Sequence, residues 1–446
     1  MIKKYAWFAV LCAVALPSMA LDPLFTSQVQ PPKGCIDKDI TQEALSLDDL
    51  VQIGICTNPA LSAQYMGVKA AEANLGTGRS QYLPTVNLTG NAGVSGTRVE
   101  GHGGYTQGEP YKAKAEAAWL LFDFGGRESR INTLRSYADA AGYGYNAALH
   151  NLMLAVQTAY LKLLAAQETL VSANASLDSY QQSYTEAQKR YKLGMVSLSD
   201  NLQAKTRYEQ ALLAVVLAED EIKQFSGQLA VLLNLSPDTQ LQLIKPVFDQ
   251  EDISIEKDDV QALMKDALAN RPELRAQESQ ESAAKSGLTA AKTSMLPSIS
   301  ATASADIADT TWKHSSYYGR ENIAGLAVSM PLFTGFSNIY KVKSAASLYK
   351  QEQANTQNLR LTIQNEVWSS YQNYKTAMRS YEISQTVLES AEENHRVAFR
   401  YYQVGKGDIL TLLDAVAQLA DARQNKISAF YSLLLSKANL YKNIGK

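Results

Sequence analysis

Residues 149–191 read LHNLMLAVQTAYLKLLAAQETLVSANASLDSYQQSYTEAQKRY, and apolar or small side chains recur within them at alternating intervals of three and four positions. This heptad spacing gives a helix one continuous stripe that packs against other helices. Proline is absent from Gly126 to Leu193, so we predict one uninterrupted helix, about 100 Å long at about 1.5 Å per residue. The stripe consists of Leu149, Leu152, Val156, Ala159, Leu163, Ala166, Leu170, Ala173, Leu177, Tyr180, Tyr184, Ala187 and Tyr191.

A second stripe with the same spacing lies in the C-terminal half of the chain. Small and large side chains alternate in it, and small positions allow helix backbones to approach closely. The other faces of both segments are rich in Gln, Ser, Asn, Lys and Glu, which fits a solvated tube wall, although a plain antiparallel coiled-coil stalk explains the stripes equally well. The second stripe consists of Ile363, Val367, Ser370, Tyr374, Ala377, Tyr381, Ser384, Leu388, Ala391, His395, Ala398 and Tyr402.

The two stripes belong to an internal repeat with a period of about 211 to 213 residues. Four short motifs of the first half align, in the same order, with four motifs of the second half. The pairs are Asn58–Leu61 with Arg271–Leu274, Leu83–Pro84 with Leu296–Pro297, Leu121–Phe122 with Leu332–Phe333, and Gly194 with Gly405. Each copy therefore predicts two short helices, a strand hairpin, a long helix, a glycine turn and a last helix.

The repeat gives the predicted organisation of the chain. We expect a signal peptide over 1–20, an N-terminal extension over 21–46, a first repeat over 47–235, a linker over 236–258 and a second repeat over 259–446. The first repeat comprises a strand hairpin 85–122, a long helix 126–193 and a helix 197–235. The second comprises a strand hairpin 298–332, a long helix 337–404 and a helix 408–444.

The first twenty residues have the features of a cleavable secretory leader, namely Lys3 and Lys4, an apolar run, and small residues before position 21. Removal of the two lysines would change the formal net charge from −2 to −4, and nothing favours nucleic-acid binding. An exported chain would keep Cys35 and Cys56 in an oxidising compartment, where one disulfide is the default expectation. Two reduced, buried cysteines are the alternative.

After the leader, no run reaches the roughly 18 to 20 apolar residues of a membrane helix, so any membrane crossing must use strands. Four segments alternate apolar and polar residues, as membrane strands do. Their apolar faces are Val86, Leu88, Gly90, Ala92 and Val94; Ala113, Ala115, Ala117, Trp119 and Leu121; Ile299, Ala301, Ala303, Ala305 and Ile307; and Ala324, Leu326, Val328, Met330 and Leu332.

We expect the hairpin loops over 97–110 and 309–321, outside the cell. Soluble, half-buried hairpins are the alternative, because alternation also occurs in such sheets. Four strands are too few to close a barrel, since about eight is the minimum. A membrane barrel would therefore be shared between chains, and three chains would supply twelve strands.

No pattern of catalytic residues is visible. His102, His150, His314 and His395 are not spaced as metal ligands. The glycines of Gly76–Ser80 lack the lysine and spacing of a phosphate-binding loop. We therefore expect no enzymatic activity, no metal and no cofactor.

Three motifs resemble those of the TolC family of outer-membrane efflux proteins. Leu121–Gly126 looks like that family's strand exit into the long helix, while Arg190–Gly194 and Tyr401–Gly405 look like its two periplasmic hairpin tips. Leu47–Leu50, the Cys35 region, Cys56–Pro59 and Tyr82–Thr85 further resemble the type I secretion branch, which exports toxins and adhesins and includes the adenylate cyclase toxin exporter.

The resemblance implies an α+β membrane protein. Long antiparallel coiled-coil helices would form a periplasmic α-barrel, and four strands per chain would enter a trimeric, twelve-stranded outer-membrane β-barrel. Its implied partners are two further copies of the chain, a periplasmic membrane-fusion adaptor, an inner-membrane ABC exporter or proton-driven pump, outer-membrane lipid and an exported protein cargo. A small-molecule efflux duct and a non-conducting coiled-coil envelope protein are the alternatives.

The resemblance also implies two groups of site residues. Adaptor docking falls on Gly194, Met195, Val196 and Ser197 and on Gly405, Lys406 and Gly407, while the periplasmic gate falls on Asp200, Tyr402 and Asp414. Ser197 and Asp200 also have the spacing of a helix capping pair. The chain departs from the family at Gly407 and Thr411, where the best-known member has an arginine and a second aspartate, so its gate links would be built differently.

Overall fold

The computed structural model describes residues 44–98, 105–245, 259–312 and 315–446. The predicted leader, Cys35 and the last part of the predicted linker, 246–258, lie outside these ranges. No helix in the described part of the chain is both long enough and apolar enough to cross a membrane.

The described elements follow one order in both halves of the chain, with one additional short strand, β2, in the first. The first half contains α1 (Leu47–Thr57), α2 (Pro59–Ser80), β1 (Thr85–Ala92), β2 (Ser95–Arg98), β3 (Tyr105–Phe122), α3 (Gly126–Lys192) and α4 (Leu198–Leu232). The second contains α5 (Val260–Asn270), α6 (Pro272–Thr293), β4 (Ser298–Trp312), β5 (Ser315–Ser329), α7 (Ser337–Gln403) and α8 (Ile409–Asn443).

Two compact units can be distinguished, and α2, α3, α6 and α7 contribute residues to both. The described part of the first unit comprises 68–98, 105–139, 279–312 and 315–352, and it contains the sheet. The described part of the second comprises 44–67, 140–245, 259–278 and 353–446, and it is helical apart from one isolated bridge.

The sheet of the first unit is antiparallel, with the order β1-β3-β4-β5 and with β2 paired to β3. Its register aligns the predicted apolar faces, because Val86, Ala117, Ala303 and Ala324 form one row across the four strands. β1 is exposed along its whole length, and Val86 is 74% exposed. The apolar face of β1 therefore has no cover from the described residues.

The predicted loops 97–110 and 309–321 are wrong, because the strands extend into both. β3 begins at Tyr105, and β4 continues to Trp312 before β5 starts at Ser315. Thr310 pairs with Tyr317, and Thr311 pairs with Ser316. Threonine and tyrosine have high strand propensity, and an antiparallel ladder satisfies the backbone groups that a loop would leave to water.

The helical stripes form the core of the second unit. Every member of the α7 stripe is buried or half-buried, and Tyr191 is the one exposed member of the α3 stripe. Val156, Ala187 and Ile363 are fully buried. Because burying a Val or Ile side chain contributes about 1.5 to 3 kcal/mol, the stripes supply much of the stabilisation of these helices.

Candidate functional site

The α3–α4 and α7–α8 turns form two helix-hairpin tips with the same backbone construction. In the first tip, Gly194 N donates to Tyr191 O at 2.9 Å and Met195 N donates to Arg190 O at 2.9 Å. In the second, Gly405 N donates to Tyr402 O at 3.0 Å and Lys406 N donates to Tyr401 O at 2.9 Å. These bonds define Schellman motifs, which need a left-handed residue after the helix.

Glycine fills that left-handed position in both tips. Gly194 has φ +70° and Gly405 has φ +76°, a conformation that costs other residues free energy. The turns leave large apolar side chains in contact with solvent, because Leu193, Met195 and Val404 are 66 to 74% exposed. Each tip therefore presents an apolar surface on a hydrogen-bonded turn.

Ser197 and Asp200 form a complete capping box at the start of α4, as their spacing predicted. Ser197 Oγ accepts from Asp200 N at 3.1 Å, and Asp200 Oδ2 accepts from Ser197 N at 3.1 Å. The predicted gate carboxylate therefore stabilises a helix N-terminus in this chain.

The second tip is capped by Asp408 instead. Its carboxylate accepts from Thr411 N and from Thr411 Oγ1, both at 2.8 Å. These hydrogen bonds, the backbone one first, hold the pKa of Asp408 below its ordinary value. Thr411, one of the two departures from the family pattern, is thus the donor of this cap. An aspartate at position 411 would place a second carboxylate beside Asp408.

Gly407, the other departure, lies where a side chain would meet backbone. A β-carbon there would lie 3.2 Å from Tyr402 N and 3.3 Å from Tyr401 Cβ. An arginine at this position would require the neighbouring turn to shift by a few tenths of an ångström. The local packing therefore favours glycine.

Tyr402, the second predicted gate residue, is 1% exposed and packs in the core between α3, α4, α7 and α8. Its hydroxyl is buried without a hydrogen-bond partner, so no hydrogen bond joins it to Asp200. Burial raises the pKa of Tyr402, with Arg190 opposing that shift. The ring, and not the hydroxyl, makes the contacts at this position.

Asp414, the third predicted gate residue, is exposed on α8. Its Oδ2 accepts from Gln418 Nε2 at 2.7 Å, within the same helix. Within one chain, then, the carboxylate stays accessible. This geometry is compatible with a charge that faces a water-filled space or another copy of the chain.

Arg190 makes structural contacts at the tips that its motif alone does not predict. It is buried, its guanidinium carbon lies 4.4 Å from the Tyr402 ring centroid, and its Nη2 donates to Gln403 O at 2.9 Å. Its Nε also donates to Glu186 at 3.2 Å. The burial of Arg190 could have been predicted from its spacing. It follows the stripe residue Ala187 by three positions and therefore lies on the buried face of α3.

Cys56 takes part in a disulfide bond. Cys35 lies outside the described residues, so the pairing of the two remains a prediction. The adjoining motif residues bind the end of α4, since Thr57 Oγ1 donates to Leu233 O at 2.8 Å and Asn58 Nδ2 donates to Leu232 O at 3.0 Å. Among the described residues, no group of His, Cys, Asp and Glu side chains could hold a metal ion.

Comparison with known proteins gives one family. The family model described as outer membrane efflux protein matches residues 50–235 and 263–446. Protein CyaE of Bordetella pertussis is 26% identical over 423 residues, which are 93% of this chain and 87% of CyaE. Outer membrane protein TolC of Escherichia coli is 24% identical over 424 residues, which are 90% of this chain and 83% of TolC.

Solved structures share the fold. The CmeC outer membrane channel of Campylobacter jejuni superimposes with a TM-score of 0.78 at 18% identity, covering 90% of this chain and 85% of that one. The resemblance that the motifs indicated is confirmed by these matches.

Proposed function

The chain belongs to the outer membrane efflux protein family, and we propose that three copies of it form a duct that exports a protein toxin or adhesin across the outer membrane. Its location is the outer membrane, from which it extends into the periplasm. The family and the fold are those of outer-membrane channels, which are not enzymes.

The sheet is the observation that carries the proposal. Among the described strands, β1 and β5 each pair on one side, so the four-strand path ends in two open edges. Open edges pair with other chains unless they are covered. Closure by three chains would join β1 of one copy to β5 of the next, and the row that contains Val86 would face lipid around a twelve-stranded barrel.

The two hairpin tips support a partnership with a periplasmic adaptor. Leu193, Met195 and Val404 form apolar surfaces on hydrogen-bonded turns, and Lys406 adds a positive charge to the second tip. Such surfaces suit helical hairpins of a membrane-fusion protein. Energy for export would come from an inner-membrane ABC exporter, or from a proton-driven pump, bridged by that adaptor.

Two observations bear on the cargo of the duct. The motifs of the type I secretion branch and the similarity to CyaE support a protein cargo. The family description itself favours efflux, so export of small molecules is the second candidate. A large repeat-rich gene beside an ABC exporter gene would favour secretion over efflux.

The test is electrophoresis and planar-bilayer conductance of the detergent-extracted chain beside Asp414→Ala. Asp220→Ala is the matched control, because Asp220 is also an exposed helical carboxylate that accepts from a glutamine four residues on, at 2.7 Å. We expect a trimer with small cation-selective steps that only Asp414→Ala changes, since rings of carboxylates favour cations. A monomeric species without conductance would overturn the duct and leave the coiled-coil alternative.

A further inference from the structure

One exposed face at the exit of the second hairpin combines aromatic rings with lysines. Tyr340, Lys343 and Lys350 follow one another at intervals of three and seven residues, so they share one face of α7. Phe333 and Phe336 precede them, between the end of β5 and the start of α7. All five are exposed, the three aromatic residues by 60 to 75%. We call this face the aromatic-basic ridge.

The side chains of the ridge contact one another. The rings of Phe333 and Phe336 meet edge to face, with 5.4 Å between centroids. Lys343 Nζ lies 5.5 Å from the centroid of the Tyr340 ring, so the ammonium group sits over an aromatic face while remaining open to solvent. The ridge therefore passes from apolar rings to cations along the helix.

The ridge continues the apolar face of β5. Leu326, Val328, Met330 and Leu332 alternate along that strand and its exit, and all four are exposed. Phe333 follows directly. The ridge thus begins where the predicted lipid-facing surface ends, which is the level of lipid headgroups.

The charged side chains of this helix segment are all positive. From Ser337 to Gln351 the sequence contains Lys341, Lys343 and Lys350 and no acidic residue. Lysine stems can lie along apolar surface while their ammonium groups reach phosphate oxygens.

The first copy of the repeat keeps the aromatic pair, because the exposed rings of Phe122 and Phe124 meet edge to face with 4.7 Å between centroids, but it lacks the tyrosine and the lysines. With a shift of 211 residues, Tyr340, Lys343 and Lys350 correspond to Ser129, Asn132 and Asp139. Ser129 is buried, and the first turn of α3 carries Glu128. The basic part of the ridge, with Tyr340, Lys343 and Lys350, is therefore specific to the second copy, whereas the aromatic pair belongs to the repeated architecture.

We propose that the aromatic-basic ridge binds acidic phospholipid headgroups in the periplasmic leaflet of the outer membrane. Aromatic rings favour the headgroup level of a bilayer, and basic residues beside them attract anionic lipids. Each lysine near a charged membrane surface strengthens binding by about fivefold. The inference rests on the proposed placement of the strands in the membrane.

The test reconstitutes the full chain into nanodiscs of phosphatidylethanolamine alone or with phosphatidylglycerol. Native mass spectrometry counts retained lipids, and the midpoint of thermal unfolding is measured in parallel. We expect preferential retention of phosphatidylglycerol, a higher midpoint in the acidic nanodiscs, and weaker retention at high salt because screening shortens the range of the attraction.

The variant Lys343→Gln/Lys350→Gln should lose about 25-fold in this preference, at about fivefold per lysine. The control Lys189→Gln/Lys192→Gln removes two exposed lysines of α3 and should keep the preference. Equal retention of both lipids, or an unchanged ridge variant, would overturn the ridge alone. Failure of the wild-type chain to insert into either nanodisc would overturn the strand placement and the ridge together.

Discussion

Arg190 and Tyr402 join the ends of the two long helices within one chain. The guanidinium lies over the Tyr402 ring, with 4.4 Å to the ring centroid, and also donates to Gln403 O at 2.9 Å. The repeat does not duplicate this link, because the position equivalent to Arg190 in the second copy is Tyr401, which is exposed. Among the described residues, the link from Arg190 thus adds to the shared apolar core of the two tips and has no counterpart at the equivalent position of the second copy.

Arg190→Gln should loosen the second tip. The substitution removes the cation from the Tyr402 face and leaves Gln403 O without its donor, at an expected cost of about 2 kcal/mol. Amide hydrogen exchange of 404–407 should accelerate, while exchange in the middle of α7 stays slow. Arg207→Gln, which removes an exposed arginine bonded to Gln210, serves as the control and should change neither. Equal exchange in both variants would show that Arg190 does not hold the tip.

Tyr402→Phe should be neutral or stabilising by up to about 1 kcal/mol, because it removes a buried hydroxyl that has no partner. Tyr160→Phe is the contrast, since the equally buried Tyr160 donates to Ile244 O at 2.7 Å and its loss should cost about 1 kcal/mol. Thermal unfolding measures both, and bilayer conductance measures opening. If channel opening in Tyr402→Phe differs from that of the wild type, the Tyr402 hydroxyl would have a role in the gate.

Periodic features of the fold could be predicted from the sequence. A helix that packs along one side must repeat its apolar positions at intervals of three and four, so the stripes around Val156 and Ile363 were visible in advance. A sheet with one apolar face must alternate, and the row of Val86 and Ala117 follows from that rule. Both patterns depend on residues close in sequence.

Features that depend on distant residues were not predictable in the same way. The extension of β4 to Trp312 depends on its partner strand, because Ser315, Ser316 and Gly319 of β5 suit loops as well as ladders. The link of Arg190 joins residues 213 positions apart, and no local pattern shows that the ends of α3 and α7 meet. The sequence allowed Asp200 to be either a gate residue or part of a capping box, and the backbone geometry shows that it caps α4.

Asp408→Ala should destabilise the start of α8 by about 1 kcal/mol, whereas Asp408→Asn should cost little because asparagine also caps helices. The hydrogen bonds from Thr411 lower the pKa of Asp408 below its ordinary value of 3.8. Its contribution is therefore complete above pH 3.8 and is lost as the pH falls through the lowered pKa. Amide exchange in the first turn of α8 should show this loss in the wild type and not in Asp408→Asn.

Peptide mapping without reduction should recover Cys56 cross-linked to Cys35. Cys56 is disulfide-bonded, and the chain contains one other cysteine beyond the predicted leader. Cys56→Ser should lower the unfolding midpoint, and a reductant should lower the wild-type midpoint to a similar value. Recovery of a free Cys35 thiol would contradict the pairing.

Arg271→Gln should destabilise the second unit through a buried ion-pair network. Arg271 is 4% exposed and donates to Glu273 at 3.3 Å and to Glu366, while Glu273 also meets Lys442 at 3.7 Å. Removal of the arginine leaves two carboxylates without their main partner. We expect a loss of about 2 kcal/mol, below the value for a fully buried pair because Glu366 is partly exposed.

The pH dependence separates this network from simple packing. Burial would raise the pKa of Glu273, but the hydrogen bond from Arg271 and the nearby cations lower it overall. The Glu273 contribution is therefore present above its ordinary pKa of 4.5 and is lost as the pH falls through the lowered value. The amount by which Arg271→Gln lowers the midpoint of thermal unfolding should shrink across that range, because protonated carboxyls no longer need a cation.

Arg275→Gln is the control, since Arg275 is an exposed arginine bonded to Glu278 at 3.1 Å. It should lower the unfolding midpoint slightly at every pH. If the difference in unfolding midpoint between Arg271→Gln and the wild type stays constant from pH 7 to pH 3, the arginine acts through its packing volume alone.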